Sequence, residues 1–152
     1  LHLCDRRQRQ MCIRDRKGGA SLTFLGPAED IPTDRINDRS LITLFQTGSA
    51  SVLLMGDAEE PAEQSLLRHH PGLRCDILKV GHHGSDTSSS PAFLSALGAQ
   101  TAIISCGTDN DYGHPAEQTL TNLTLAGVRD IRMTAESGTV ALPLIAYKEN
   151  AV

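Results

Sequence analysis

The chain has no tryptophan, and aromatic residues make up only 3% of its 152 residues. A core must therefore rest on Leu, Ile, Val and Ala. At 39% hydrophobic residues there is enough apolar material for one globular domain rather than a disordered chain. No apolar run approaches the ~20 residues that a membrane-spanning helix needs. No secretory signal is readable at the N-terminus, so the chain itself is expected to be soluble. The four cysteines form no Cys-x-x-Cys pair, which argues against a cysteine-rich structural zinc site. Cys75 and Cys106 lie in or beside apolar stretches and read as buried free thiols. The G-x-S-x-G turn of serine hydrolases is missing, and so are the G-x-G-x-x-G and Walker phosphate loops. Ser85 stands too near His83 in sequence to pair with it as a serine nucleophile usually does.

Charge is unevenly placed. The formal net charge is −4. Residues 1–17 nevertheless hold Arg6, Arg7, Arg9, Arg14, Arg16 and Lys17 against only Asp5 and Asp15, leaving a body with 8 basic and 16 acidic residues, a net of −8. Such a body repels a phosphate backbone unless bound cations offset it locally. The basic head could serve as a nucleic-acid arm. Its stretch "MCIRDR" (11–16), however, resembles the translation of a transposon-adapter end used in sequencing libraries. Residues 1–17 are therefore expected to be an adapter-derived or disordered head, with the natural chain starting further upstream. Residues 18–147 then form the domain and 148–152 a tail.

Strand-like and helix-like stretches alternate through the body. "SLTFLG" (21–26) reads as a strand, and the Pro- and charge-rich segment 26–38 as a loop. Residues 40–48 and 49–57 read as a hairpin, with Gly48 supplying the positive φ of its turn. A helix is predicted over 57–72, with Asp57 as N-cap, Glu59 and Glu60 at the positive end of the dipole and Pro61 in the first turn. Ala58, Ala62 and Leu66 form its inward stripe and Gly72 its stop. A strand over 75–80 and a Gly/Ser loop follow. A helix over 90–98 comes next, with Ser90 as cap, Pro91 first and Gly98 past its end. Then come a strand over 101–106, a polar loop over 107–115 and a helix over 115–127. Strands over 128–134 and 138–144 complete the chain. This alternation predicts a layered α/β fold with a mixed sheet and flanking helices. The polar, Gly-containing stretches fall at strand C-terminal ends, where such sheets place their chemistry.

The chemistry centres on "LKVGHHGSDTSSSP" (78–91). The chain has six histidines, and two of them stand side by side between glycines. Imidazole is a favoured ligand of zinc and similar metals, and Gly81 and Gly84 let backbone approach a ligand closely. Adjacent side chains do not readily bind one ion in the same geometry. One of His82 and His83 is expected to ligate, and the other to orient it or to touch substrate. Asp57, directly after an apolar strand, offers two oxygens that can bridge cations, or it simply caps a helix. Ser85 and Asp86 are expected to hydrogen-bond and orient the imidazoles, and Ser88 to Ser90 to cap the next helix. His114 in "YGHP" precedes a helix N-terminus, where it could donate to a phosphate or serve only as a cap. His69 and His70, near a helix C-terminus, suit the dipole.

In order, "NDRSLITLF", "VLLMGDAE", "DILKVGHHGSDTSSS", "AIISCG", "DYGHP" and "SGTV" resemble the C-terminal half of the metallo-β-lactamase-fold domain of ComEC-type competence proteins and related stand-alone hydrolases. The resemblance implies half of an αββα sandwich. It implies two divalent ions, zinc or manganese, ~3.5–4 Å apart as in two-metal sites generally, acting on DNA or another phosphodiester. Asp57 then matches the bridging carboxylate and His83 a terminal ligand. His82 matches its neighbour beside the ligands, or the ligand itself, and His114 the late histidine that contacts the scissile phosphate. Ser85 and Asn110 are expected to join His114 against substrate. The family's H-x-H-x-D-H motif belongs upstream of residue 37, and no H-x-H occurs in this chain. These residues are therefore expected to bind metal weakly and to be inactive without the N-terminal half of the domain. A sheet face left bare should favour aggregation. The intact parent is expected to be linked to DNA uptake, either at the cell membrane with this domain extracytoplasmic or in the cytoplasm. The alternatives are a stand-alone hydrolase of a small phosphoester or lactone, and a non-catalytic interaction module.

Overall fold

Alternating apolar strands and amphipathic helices assemble here into one seven-stranded mixed sheet with helices against it. The computed structural model describes residues 15–17, 19–32 and 34–144. The strands are β1 (Asp15–Lys17), β2 (Ala20–Phe24), β3 (Thr43–Gln46), β4 (Ser51–Leu54), β5 (Ile77–Lys79), β6 (Thr101–Ile104) and β7 (Asp130–Met133). The helices are α1 (Glu60–His69), α2 (Pro91–Leu97), α3 (Glu117–Leu125) and α4 (Thr134–Ser137). The sheet runs in chain order from β1 to β7. Pairing is antiparallel from β1 through β4 and parallel from β4 through β7. The predicted α/β architecture with a mixed sheet and flanking helices is the one observed. Of the basic head, residues 15–17 pair with β2 as the edge strand, while residues 1–14 and the tail 148–152 lie outside the described residues.

The register explains where the core sits. Leu44, Leu53, Leu78 and Ala102 align across β3 to β6 and are all buried. They share one cluster with Ala62 and Leu66 of α1, Phe93, Leu94 and Leu97 of α2 and Leu123 of α3. Parallel crossovers are right-handed almost without exception, and here each one steps to the next strand in the same direction. That winding places α1, α2 and α3 on one face. On the opposite face Leu22, Phe45 and Val52 align and are only partly buried, while Leu54 is 39% exposed.

Several local expectations are corrected. The β3–β4 turn does not use a positive φ at Gly48. Thr47 builds it instead: its Oγ1 accepts the N–H groups of Ser49 and Ala50, and its own N–H donates to Ala50 O at 2.8 Å. Asp57 does not cap α1. The helix starts later, at Glu60 after Glu59, because the buried carboxylate of Asp38 takes over the cap. Asp38 Oδ1 accepts from Glu59 N at 3.0 Å and Ala62 N at 3.4 Å. The inward stripe Ala58, Ala62 and Leu66 is buried as expected. Residues 138–144 form no strand. β7 gives way to the short helix α4, and the chain then reaches back to the β3–β4 turn, where Leu144 O accepts from Ser49 Oγ at 3.0 Å.

Candidate functional site

β4, β5 and β6 run parallel, so the loops that follow them emerge at one edge of the sheet. The loop after β4 carries Asp57 and Glu59, that after β5 carries His82 and His83, and that after β6 carries Asn110 and His114. Backbone contacts lock these loops together. His82 N–H donates to Gly56 O at 3.1 Å and Asp57 N–H to Ser40 Oγ at 2.9 Å. Gly81 has to be glycine, because a Cβ there would lie 2.5 Å from Ala58 O. Gly84 has φ +83°, and a Cβ there would lie 2.7 Å from Pro115 Cβ; its carbonyl accepts from Ala116 N at 2.8 Å. The "GHHG" turn is thus pressed between the loop after β4 and the start of α3.

Both histidines occupy the left-handed region, with φ 44° at His82 and 56° at His83. Non-glycine residues pay about 1–3 kcal/mol to sit there, and such strain gathers at functional sites. Its effect here is to turn two successive side chains toward the loops on either side. His83 Nδ1 lies 2.7 Å from Ser105 O. A carbonyl only accepts, so Nδ1 carries the proton and Nε2 of the neutral ring keeps its lone pair. That Nε2 lies 3.4 Å from Asp57 Oδ1, with each side chain 49% exposed. His82 Nδ1 lies 3.1 Å from Glu59 Oε1, and the His82 ring meets the His114 ring edge-on at 5.8 Å between centroids. Lys79, beside them, donates from Nζ to Gly56 O at 3.1 Å. Burial pushes its ammonium below the usual lysine range, and the charge of Asp57 works the other way.

Asp57, His82, His83 and His114 are therefore brought to one edge. Ser85 and Asn110 are placed differently. Ser85 is buried, and its hydroxyl is engaged within its own loop by Thr87 Oγ1 at 3.0 Å and Asp86 Oδ1 at 3.4 Å. Asn110 closes the loop after β6. Its Oδ1 accepts from His114 N at 2.8 Å, and its Nδ2 donates to His114 O at 2.6 Å and Gly107 O at 3.0 Å. Asn110 therefore meets His114 through its backbone, while the Ser85 hydroxyl is engaged by side chains of its own loop. His69 reaches back along α1, its Nδ1 2.9 Å from Ser65 O. Among the described residues, no group of three or more His, Cys, Asp or Glu converges as a metal site, and no helix is long and apolar enough to cross a membrane.

Sequence reasoning missed Glu59, Asn37 and Glu63. Glu59 was legible only as a helix-start acid, although it stands two residues after Asp57. Asn37 Nδ2 donates to Glu59 Oε1 at 3.1 Å, across a sequence gap that no local pattern bridges. Glu63 carried a usable signal, since a charged residue sits three positions before Leu66 on the inward side of α1.

The class defined so far is an α/β domain with an Asp/His cluster at the C-terminal edge of its parallel strands. No family model matches the chain. It is 39% identical over 116 residues to ComE operon protein 3 of Bacillus subtilis, an alignment covering 76% of this chain and 15% of that protein. It is 36% identical over 115 residues to competence protein ComA of Neisseria gonorrhoeae, covering 75% and 16%. With recombination protein 2 of Haemophilus influenzae it shares 40% identity over 97 residues, covering 64% and 12%. These relatives support a competence-related family for the matched stretch. The chain spans only about one sixth of the length of the first two.

Proposed function

We propose that this chain is the C-terminal part of a metallo-β-lactamase-type domain in a metal-dependent phosphodiesterase or nuclease, whose parent acts in DNA uptake. One observation carries the reading: the pairing of Asp57 Oδ1 with His83 Nε2. With Nδ1 protonated by its bond to Ser105 O, a neutral His83 has no hydrogen to offer Asp57. Two acceptors then face one another at 3.4 Å, which suits a cation held between them. Charge-assisted hydrogen bonds are shorter, ~2.7–2.9 Å. A tetrahedral zinc with bonds of ~2.0–2.1 Å spaces its donors by ~3.4 Å. The competence relatives support the link to DNA.

The fit is partial. A structural or catalytic zinc takes about three or four protein ligands, and this chain supplies two at that point. Asp57 and His83 would hold one side of the ion, with the rest coming from a preceding part of the same domain. Divalent ions held there would supply an activated water and neutralise charge on a phosphate oxygen. The chain's own residues do the remainder. Ser105 O fixes the ring of His83. Asn110 holds the backbone of His114 at the edge, where its imidazole could donate to a phosphate oxygen. Gly56 and Gly81 keep the loops in register. In the parent, a membrane location with this domain extracytoplasmic suits uptake of external DNA; a cytoplasmic hydrolase is the alternative.

The test is a zinc and manganese titration of the chain, beside a chromogenic phosphodiester assay on a longer parent containing it. Weak binding by the chain is expected, falling at least tenfold in His83→Ala, with parent activity lost in the same variant. Affinity and activity unchanged by His83→Ala would refute the assignment. A second reading, a non-catalytic interaction module, draws on the lack of a three-ligand group among the described residues. A parent with no metal-dependent activity would favour it.

A further inference from the structure

We infer that Tyr112 is a base-stacking residue, its ring the outer step of a platform that takes an unpaired nucleobase of single-stranded DNA beside the histidine edge. The inference deepens the hydrolase reading and rests on it for the choice of DNA. Aromatic residues are scarce in this chain, at 3%, yet Tyr112 is 83% exposed while Phe93 is 1% exposed. A tyrosine ring kept in water forgoes the burial that stabilises most aromatic side chains. Its ring lies nearly parallel to that of His114, at 18° with 5.9 Å between centroids. The His114 ring meets that of His82 at 5.8 Å, and His82 lies 6.3 Å from His83. Four rings therefore run in a row from the tip of the loop after β6 to the Asp57–His83 pair.

The ring is exposed, but the loop that carries it is fastened. Asn110 to Gly113 form a turn closed by the Gly113 N–H, which donates to Asn110 O at 3.2 Å, with Gly113 at φ +68°. The Asn110 side chain ties that turn to His114, accepting from its N–H at 2.8 Å and donating to its O at 2.6 Å. Tyr112 is thus held at the tip with one face toward His114 and the other toward solvent. Every base has a π-face that can stack on such a ring, and an unpaired base leaves that face accessible. Charge selects the part of the strand that fits. Asp109 and Asp111 are exposed in the same loop, and their carboxylates repel a phosphate while leaving the uncharged base unopposed. The base then sits on Tyr112, and the adjoining phosphate faces His114. Tyr112 makes and breaks no bond; it sets the register of the strand and the preference for unpaired over paired DNA.

The chain's tyrosines are Tyr112 and Tyr147, and it has no tryptophan. Tyr147 lies outside the described residues. In a Tyr147→Phe chain the ultraviolet emission therefore reports Tyr112 alone. Titration of that chain with a short oligothymidylate, in metal-free buffer of moderate salt, is expected to quench the emission saturably. An abasic phosphodeoxyribose strand of equal length and a hairpin-closed duplex should each do so about tenfold more weakly or less. Tyr112→Ala should lower affinity for a labelled oligothymidylate about tenfold, and Tyr112→Trp should retain it. Emission indifferent to oligothymidylate, an equal response to the abasic strand, or affinity unchanged in Tyr112→Ala overturns the inference. The readout needs neither metal nor cleavage. A chain that quenches as expected in a parent without metal-dependent activity sinks the hydrolase reading alone, and an active parent whose chain does not quench sinks only the stacking.

Discussion

Glu63, in the first turn of α1, accepts the backbone N–H of Ser90 at 2.9 Å through Oε2, and that of Ser89 through Oε1. One helix thereby caps the next: Ser90 is the N-cap position of α2, and its own side chain makes no capping bond. The carboxylate is almost wholly buried. Truncation would leave a buried donor at Ser89 and a half-buried one at Ser90 unpaired, each worth about 1–3 kcal/mol when fully buried. Glu63→Ala is expected to lower stability by about 2–4 kcal/mol in urea denaturation, and Glu63→Gln by less. A loss under about 0.5 kcal/mol, the range of ordinary surface changes, would show that water replaces the bonds.

The same carboxyl gives stability a pH dependence of definite sign. Burial raises its pKa above the ordinary 4.5, and the bonds from Ser90 and Ser89 only partly oppose this. The folded state then binds more protons than the unfolded one, so this group's contribution falls as pH rises from about 4.5 through the raised value, and levels off above it. Wild type should lose stability relative to Glu63→Gln over that interval. Parallel curves for the two proteins would contradict the shift.

Gly81→Ala is the most direct disturbance of the site that leaves every polar group in place. The new methyl would meet Ala58 O at 2.5 Å, and overpacking of this kind costs about 1–3 kcal/mol. The expected outcome is a destabilised chain in which His82 and His83 lose their close contacts, seen as weakened metal binding beyond that of Gly48→Ala, whose Cβ meets nothing within 4 Å. Equal binding by the two variants would mean that the loop adjusts freely.

Cys75 should be silent to thiol reagents. Burial, then the neighbouring charge of Asp76, pushes its pKa up to about 12, and it is the thiolate that reacts. Site-resolved mass spectrometry after alkylation in mild base should find Cys75 unmodified in native protein and modified in urea. Prompt native labelling would place it nearer the surface than its 4% exposure.

The exposed part of the sheet face opposite α1, α2 and α3 should drive self-association. Leu54 is 39% exposed on it, beside Val52 and Phe45. Leu54→Glu puts a carboxylate opposite Lys79 in the register and is expected to shift light scattering toward monomer without loss of fold. A wild-type chain already monomeric at high concentration would argue against this.

Much of this arrangement was legible in the sequence because it is local. The period of Ala58, Ala62 and Leu66 predicted the buried side of α1, and Pro91 and Gly98 bracketed α2 within a residue. Apolar runs ending in Gly-rich polar stretches predicted that Asp57, His82 and His114 would meet at one edge. What escaped was non-local. Asp38 caps a helix from 21 residues away, and that displaced Asp57 from the cap it was expected to fill. The strand predicted over 138–144 failed because β apolarity says nothing of a neighbour to pair with. Asn110 showed a polar loop residue but not which way it faced; its amide is spent on the chain around His114.

The sheet whose strand order equals chain order has one more consequence. From β2 to β7 each strand pairs with the one before it, so no pairing has to wait for a strand that comes later in the chain. The sheet can grow by accretion as the chain is synthesised, and the edge that carries Asp57, His82, His83 and His114 takes shape only when the loops after β4, β5 and β6 have all been laid down.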